Sequence, residues 1–176
     1  MSDPAHNAPQ PSEWVTRHID SIPAGGRVLD LACGSGRHTR LLHSLGYRVV
    51  AVDKDLRGVQ DLRDVAGIEL LQMDLEQPDW PLQDQQFAGI VVCNYLYRPH
   101  LAKLADCLED SGCLLYETFA AGNERYGKPT NPDYLLEPGE LLDVFGRSLK
   151  VVAFEQGLIQ TPQTRLMQRI CARKVR

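Results

Sequence analysis

RVLDLACGSG, residues 27–36, joins an apolar strand pattern to a turn that contains two glycines. The nearly unbroken apolar run is typical of a parallel strand that is covered on both faces. Helical spacing of apolar residues begins directly after the second glycine. A strand that passes through glycines into a helix is the opening unit of a doubly wound α/β fold, which binds ligands beyond the carboxyl ends of its strands.

The same alternation of strand and helix continues along the chain. Strand patterns fall at residues 27–33, 47–53, 68–73, 87–93 and 112–118, and helical patterns fall at 13–21, 37–45, 56–65, 99–109 and 136–145. Two closing strands, 148–155 and 165–172, have no helical pattern between them and are predicted to form an antiparallel hairpin. We therefore predict a Rossmann-like, doubly wound, mostly parallel seven-stranded sheet with an antiparallel edge hairpin and helices on both faces.

Length and composition indicate one globular domain. The chain has 176 residues, of which 43% are apolar and 24% are charged, and both fractions are ordinary for a globular protein. Residues 1–10 are polar and rich in proline, and we predict that they form a flexible leader before a domain that spans residues 11–176. The leader has no apolar core of the kind that a secretory signal contains.

Cysteine usage and hydropathy bear on location and partners. The five cysteines include no C-x-x-C pair, which favours free thiols in a reducing compartment. No apolar run reaches the length of a membrane span, so a cytoplasmic protein with no membrane partner is expected. A net charge of −4 counts against a dedicated nucleic-acid binder, although the basic carboxyl end keeps RNA open as a partner.

The glycine turn limits the choice of cofactor. GSGRHT, residues 34–39, lacks the third glycine of a dinucleotide fingerprint, and no G-K-[ST] of a phosphate-binding loop follows. A helix that starts at such a turn still binds an anion at its N-terminus. The turn therefore suits a nucleoside ligand that carries a carboxylate and no diphosphate.

Acidic residues stand at the ends of the first three strands. Asp53 is positioned to accept hydrogen bonds from ribose hydroxyls. Asp74 is positioned to accept a hydrogen bond from an adenine amine, with Met73 and Leu75 beside the ring. Taken singly, Asp53 and Asp74 are also compatible with helix caps, and Asp30 with an anchor for the backbone of the turn.

Four segments carry a resemblance to the class I S-adenosylmethionine-dependent methyltransferases: VLDLACGSGRHT (28–39), VVAVDKD (49–55), LLQMDLE (70–76) and FAGIVVCNYLYRP (87–99). The LDLACGSGRHT…VDKD combination is similar to the small single-domain branch that includes tellurite-resistance-type methyltransferases. The resemblance implies a methyltransferase with S-adenosylmethionine as cofactor and S-adenosylhomocysteine as product. In the family the turn shapes the methionine pocket, and the residue that corresponds to Ala32 is usually glycine. The predicted cofactor-binding residues are Asp30, Ala32, Cys33, Gly34, Gly36, Asp53, Lys54, Met73, Asp74, Leu75 and Cys93.

The sequence defines the residues that would bind the methyl acceptor less well than those that would bind the cofactor. The segment after the fourth strand lacks the Asn/Asp-Pro-Pro-Tyr motif of enzymes that methylate the exocyclic amines of bases. Residues 120–134 are long for a loop and are predicted to form a lid. Glu117 is compatible with a general base or with an acid held by loop amides. The acceptor-side candidates are Asn94, Tyr95, Glu117 and Tyr126.

Several functional alternatives remain at this point. A small-molecule acceptor is favoured over RNA because the chain is small and acidic. A non-catalytic methyltransferase-fold subunit is the second class. A nicotinamide oxidoreductase is disfavoured by the missing third glycine, and the histidines lack the spacing of a metal site. The oligomeric state and the methylated atom are not defined by the sequence.

Overall fold

The computed structural model describes residues 9–160 and 162–175, so most of the predicted leader, residues 1–8, lies outside the described part. Within that part, seven strands form one sheet in the order β3-β2-β1-β4-β5-β7-β6. The strands are β1 (Arg27–Leu31), β2 (Arg48–Asp53), β3 (Ile68–Gln72), β4 (Phe87–Cys93), β5 (Leu108–Phe119), β6 (Lys150–Ile159) and β7 (Arg165–Arg173).

The first five strands run parallel, and β7 pairs antiparallel with both β5 and β6. The predicted edge hairpin is thereby confirmed. Because β1 pairs with β2 on one side and with β4 on the other, the strand order reverses at β1. Ligands of such sheets bind beside the carboxyl ends of the strands at this reversal.

Short α-helices and several 3₁₀ turns cover the sheet. The α-helices of the described ranges are α1 (Glu13–His18), α2 (Arg37–Ser44), α3 (Arg98–Leu101), α4 (Lys103–Asp106) and α5 (Glu140–Phe145). Alternate residues of β1 enter different cores: Leu29 packs with side chains of α3, α4 and α5, whereas Val28 packs with side chains of α1 and α2. Helices on both faces, as predicted, thus bury both sides of the parallel strands.

Two predicted helices differ from the structure. The segment predicted as a helix over residues 56–65 is a 3₁₀ segment, Leu56–Leu62, with a break at Val59. The helix predicted over residues 99–109 is divided at Ala102 into α3 and α4, and it ends at Asp106 because Leu108 already pairs with Phe87 in the sheet. In both places tertiary packing overrides the local helical pattern. Across residues 9–160 and 162–175, no helix combines the length and apolarity that a bilayer crossing requires.

Candidate functional site

The glycine turn after β1 brings the backbone close to its neighbours. Gly36 has φ +73° and precedes α2. A Cβ at this position would lie 2.5 Å from Cγ1 of Val59, so both the conformation and the space require glycine. The conformation of the turn therefore depends on glycine at position 36.

Ala32 begins the turn in a conformation that is unusual for alanine. Its φ is +55°, in the left-handed region where a Cβ crowds the backbone. This is the position at which the resemblance described above implies a glycine. The side chain of Ala32 lines a cavity at the carboxyl ends of the strands.

Asp53 at the end of β2 binds the turn directly. Its Oδ2 accepts a 2.8 Å hydrogen bond from the backbone N–H of Gly34, and its Oδ1 accepts a 3.0 Å hydrogen bond from the N–H of Asp55. A carboxylate has about four acceptor positions, so both oxygens retain capacity for ligand hydroxyls. Asp53 thus combines a structural contact with a position on the cavity wall.

Asp74 follows β3 and makes local contacts of its own. Its Oδ1 accepts a 2.9 Å hydrogen bond from the N–H of Glu76, and its Oδ2 accepts a 2.8 Å bond from Nε2 of Gln77. These hydrogen bonds from Glu76 and Gln77 hold the pKa of Asp74 below its usual value. The carboxylate is therefore ionised and oriented, and it lines the same cavity as Asp53.

This cavity has a volume of about 270 Å³. Tyr95 lies on its wall with a buried hydroxyl that has no hydrogen-bond partner among the described residues. Burial raises the pKa of Tyr95, so the hydroxyl remains protonated. Eight of the predicted site residues line this cavity together with Glu76: Ala32, Asp53, Lys54, Met73, Asp74, Leu75, Asn94 and Tyr95.

Several groups on the wall of this cavity can bind a polar ligand. The carboxylates of Asp53 and Asp74 are acceptors, and the Tyr95 hydroxyl has no partner among the described residues. Ligand cavities commonly have volumes of about 300–1,000 Å³. The volume of about 270 Å³ therefore corresponds to part of a larger ligand.

Asp30, Cys33 and Cys93 do not line the cavity. Asp30 is buried and accepts a 2.6 Å hydrogen bond from Oγ1 of Thr39, which ties α2 to β1; burial raises the pKa of Asp30 to about 6. Cys33 is buried in an apolar cluster with Val59. Asp30 therefore joins β1 to α2, and Cys33 packs in the apolar cluster beside the turn.

A second cavity, of about 560 Å³, shares no lining residue with the first. Its walls come from residues 9–13, the start of α2, the end of β5 and the β6–β7 hairpin. Glu117 lies here, with its Oε2 3.4 Å from Nε of Arg169. The partner of Glu117 is thus an arginine of β7, whereas the sequence left a general base and an acid held by loop amides as alternatives.

Tyr126 lines neither the first cavity nor the second. It is 47% exposed. The loop that carries it, residues 120–134, is fixed to β7 by buried Asn123, whose Oδ1 accepts a 3.0 Å hydrogen bond from the N–H of Leu166.

Two residues of the site escaped the sequence analysis. His38 is buried, and its Nε2 accepts a 3.0 Å hydrogen bond from the N–H of Ser12; burial lowers the pKa of His38 to about 3, so the ring is neutral. Gly58 approaches the turn so closely that a Cβ would lie 2.9 Å from the carbonyl oxygen of Gly34. A glycine within a helical pattern was the available signal for Gly58, whereas no local pattern marks the His38 contact.

Comparison with known proteins finds a family model and a curated relative that each match part of the chain. The family described as Methyltransferase domain matches residues 28–112. The chain is 32% identical over 113 residues to the tRNA U34 carboxymethyltransferase of Methylococcus capsulatus, a match that covers 57% of this chain and 34% of that protein. The chain thus spans about a third of the length of this relative.

Solved structures share the fold over nearly the whole chain. TehB from Haemophilus influenzae superposes with a TM-score of 0.73 at 17% identity, covering 92% of this chain and 61% of the other. The 1,6-didemethyltoxoflavin-N1-methyltransferase of Burkholderia thailandensis, solved with S-adenosylhomocysteine, gives a TM-score of 0.68 at 18% identity, with coverage of 93% and 76%. At this identity the likeness establishes the fold.

Proposed function

We propose that this chain carries a class I S-adenosylmethionine-dependent methyltransferase domain, with a fold similar to that of TehB, and that it transfers the cofactor's methyl group to a small-molecule acceptor. The observation that carries the proposal is the first cavity. It brings Asp53 and Asp74, from the ends of two neighbouring strands, together with the wall residue Ala32.

We assign the adenosyl part of the cofactor to this cavity. Asp53 would accept from the ribose hydroxyls, Asp74 from the adenine amine, and Met73 and Leu75 would flank the ring. The N-terminus of α2 suits the cofactor's carboxylate. When bound, the cofactor supplies a methyl group that its sulfonium has already activated for displacement.

The chain's own contribution to transfer is alignment and exclusion of water. The backbone N–H of Asn94 donates a 3.0 Å hydrogen bond to the carbonyl oxygen of Glu117. Asn94 lines the first cavity and Glu117 lines the second. Because adjacent strands connect the two cavities in this way, we assign the second cavity to the acceptor.

The size of the second cavity favours a small acceptor. Its volume of about 560 Å³ lies within the common range for small-molecule sites. RNA is the second candidate, because the curated relative from Methylococcus capsulatus is named for its action on tRNA. A nucleic-acid substrate would show binding that weakens steeply as salt increases.

Calorimetric titration with S-adenosylhomocysteine tests the first requirement of the proposal, which is that the chain binds the cofactor. We expect saturable binding that Tyr95→Phe weakens severalfold, because the variant removes the unpartnered hydroxyl from the cavity wall. Tyr97→Phe is the matched control, since Tyr97 does not line this cavity. Absence of binding to the unmodified protein would favour the non-catalytic subunit over the enzyme.

A further inference from the structure

Two arginines on the wall of the second cavity lack acidic partners among residues 9–160 and 162–175. Nη1 of Arg37 donates a 3.1 Å hydrogen bond to the carbonyl oxygen of Gln10, and Nη2 of Arg165 donates a 3.3 Å bond to Oε1 of Gln163. Both partners are neutral. Neither Arg37 nor Arg165 therefore forms an ion pair within the described part of the chain, and Arg37 acts on the buried Asp30 only through its charge, without a contact.

The acids of this cavity are already paired. Oε1 of Glu13 lies 2.6 Å from Nη2 of Arg17, and Oε2 of Glu117 lies 3.4 Å from Nε of Arg169. The cavity wall thus contains two carboxylates that form ion pairs and two arginines that do not. Its electrostatic character is positive although the chain as a whole carries −4.

Arg169 adds an unsatisfied donor at the inner end of the cavity. Its residue is 8% exposed, and its Nε is buried without a hydrogen-bond partner in the described structure. The 3.4 Å approach to Glu117 supplies charge attraction but no well-directed hydrogen bond. A buried donor without a partner costs stability, and an anionic ligand in the cavity would satisfy it.

We propose that the methyl acceptor is a small organic anion, with a carboxylate or phosphate that binds Arg37 and Arg165 and reaches toward Nε of Arg169. This inference rests on the proposed function, because it names the substrate class of the same site. Arginine is suited to the role, since its planar group pairs with carboxylate and phosphate through two hydrogen bonds.

The binding test uses benzoate and phenyl phosphate as anionic probes and benzamide as the neutral probe of similar shape. Each is titrated at constant ionic strength into the protein with and without saturating S-adenosylhomocysteine. We expect the anions to bind at least tenfold more tightly than benzamide. Equal affinity for the charged and neutral probes would overturn the proposal.

Three arginine variants locate the binding site. Arg165→Gln and Arg37→Gln are expected to raise the Kd of both anions at least fivefold, whereas Arg147→Gln, on the exposed turn after α5, should leave it within twofold. Anion affinity that Arg165→Gln leaves unchanged contradicts the assignment. Loss of S-adenosylhomocysteine affinity in Arg37→Gln would move that residue to the cofactor and remove it from the acceptor site.

Different binding results would contradict the proposed function and the proposed acceptor class. If S-adenosylhomocysteine does not bind while the anions do, the proposed function fails and the anion site stands. If S-adenosylhomocysteine binds without any preference for anions, the acceptor class fails alone. A single-stranded RNA oligonucleotide that binds through Arg165, when benzoate and phenyl phosphate do not, would replace the small anion with RNA.

Discussion

The backbone N–H of Gly34 donates a 2.8 Å hydrogen bond to Oδ2 of Asp53, which joins the turn after β1 to the end of β2. This contact places the Asp53 carboxylate on the cavity wall while it holds the turn.

Asp53→Ala is expected to weaken S-adenosylhomocysteine binding by about 1–3 kcal/mol, because it removes an acceptor from buried donors. Isothermal titration measures the change. Asp84→Ala is the matched control, since Asp84 is exposed and lines no part of this cavity. An unchanged dissociation constant for Asp53→Ala would remove Asp53 from the binding site.

Ala32→Gly is expected to stabilise the protein by about 1 kcal/mol, because glycine adopts the φ of +55° without crowding from a Cβ. Urea unfolding measures the change. Ala102→Gly is the control: Ala102 has φ −67°, and glycine there should destabilise by increasing the entropy of the unfolded chain. The prediction is contradicted if both substitutions destabilise equally.

The strand pattern was enough to predict the fold and the position of the first cavity. Alternating burial of Val28 and Leu29 in two cores follows from a parallel sheet covered on both faces. Asp53 and Asp74 meet because the carboxyl ends of parallel strands share one edge of the sheet. These relationships depend on periodicity and strand order, both of which a single sequence contains.

The second cavity depends on contacts that no local pattern encodes. Glu117 and Arg169 face each other only because β7 pairs antiparallel with β5 in one particular register. The contact between His38 and Ser12 joins residues that are separated by 26 positions. Long-range register and the docking of residues 9–12 therefore limited what sequence reasoning could predict of the acceptor side.

Gly58→Ala is expected to destabilise the protein by about 1–3 kcal/mol, because overpacking displaces backbone where side chains cannot move aside. The added Cβ would lie 2.9 Å from the Gly34 oxygen and 3.0 Å from Cα of Ser35. The variant should also weaken S-adenosylhomocysteine binding. Gly157→Ala is the control, since nothing lies within 4 Å of its added Cβ, and equal effects of the two substitutions would refute close packing at Gly58.

The buried ring of His38 is expected to make the stability of the protein depend on pH. Burial lowers its pKa from 6.5 to about 3, so between these values the unfolded chain binds a proton that the folded protein does not. Stability from this group is therefore present above pH 6.5 and is lost as the pH falls. Relative to His38→Gln, the unmodified protein should lose about 1.4 kcal/mol per pH unit below pH 6.5. Urea unfolding of both proteins at pH 7 and pH 5 measures the difference, and parallel stability curves would contradict a buried neutral ring.

The buried Asp30 carboxyl makes stability depend on pH in the opposite direction, between pH 3.8 and about pH 6. Burial raises its pKa from 3.8 to about 6, so between these values the folded protein holds a proton that the unfolded chain has released. The stability contribution is then lost as the pH rises through that window. Relative to Asp30→Asn, the unmodified protein should become less stable from pH 4 to pH 6, by up to about 1.4 kcal/mol per unit.

Between pH 4 and pH 6 the effects of His38 and Asp30 have opposite signs, so they nearly cancel in the unmodified protein. The same urea titrations on the two single variants reveal each effect separately. If Asp30→Asn follows the unmodified protein at every pH, the pKa of Asp30 is the same in the folded and unfolded states, and its hydrogen bond from Thr39 offsets the effect of burial.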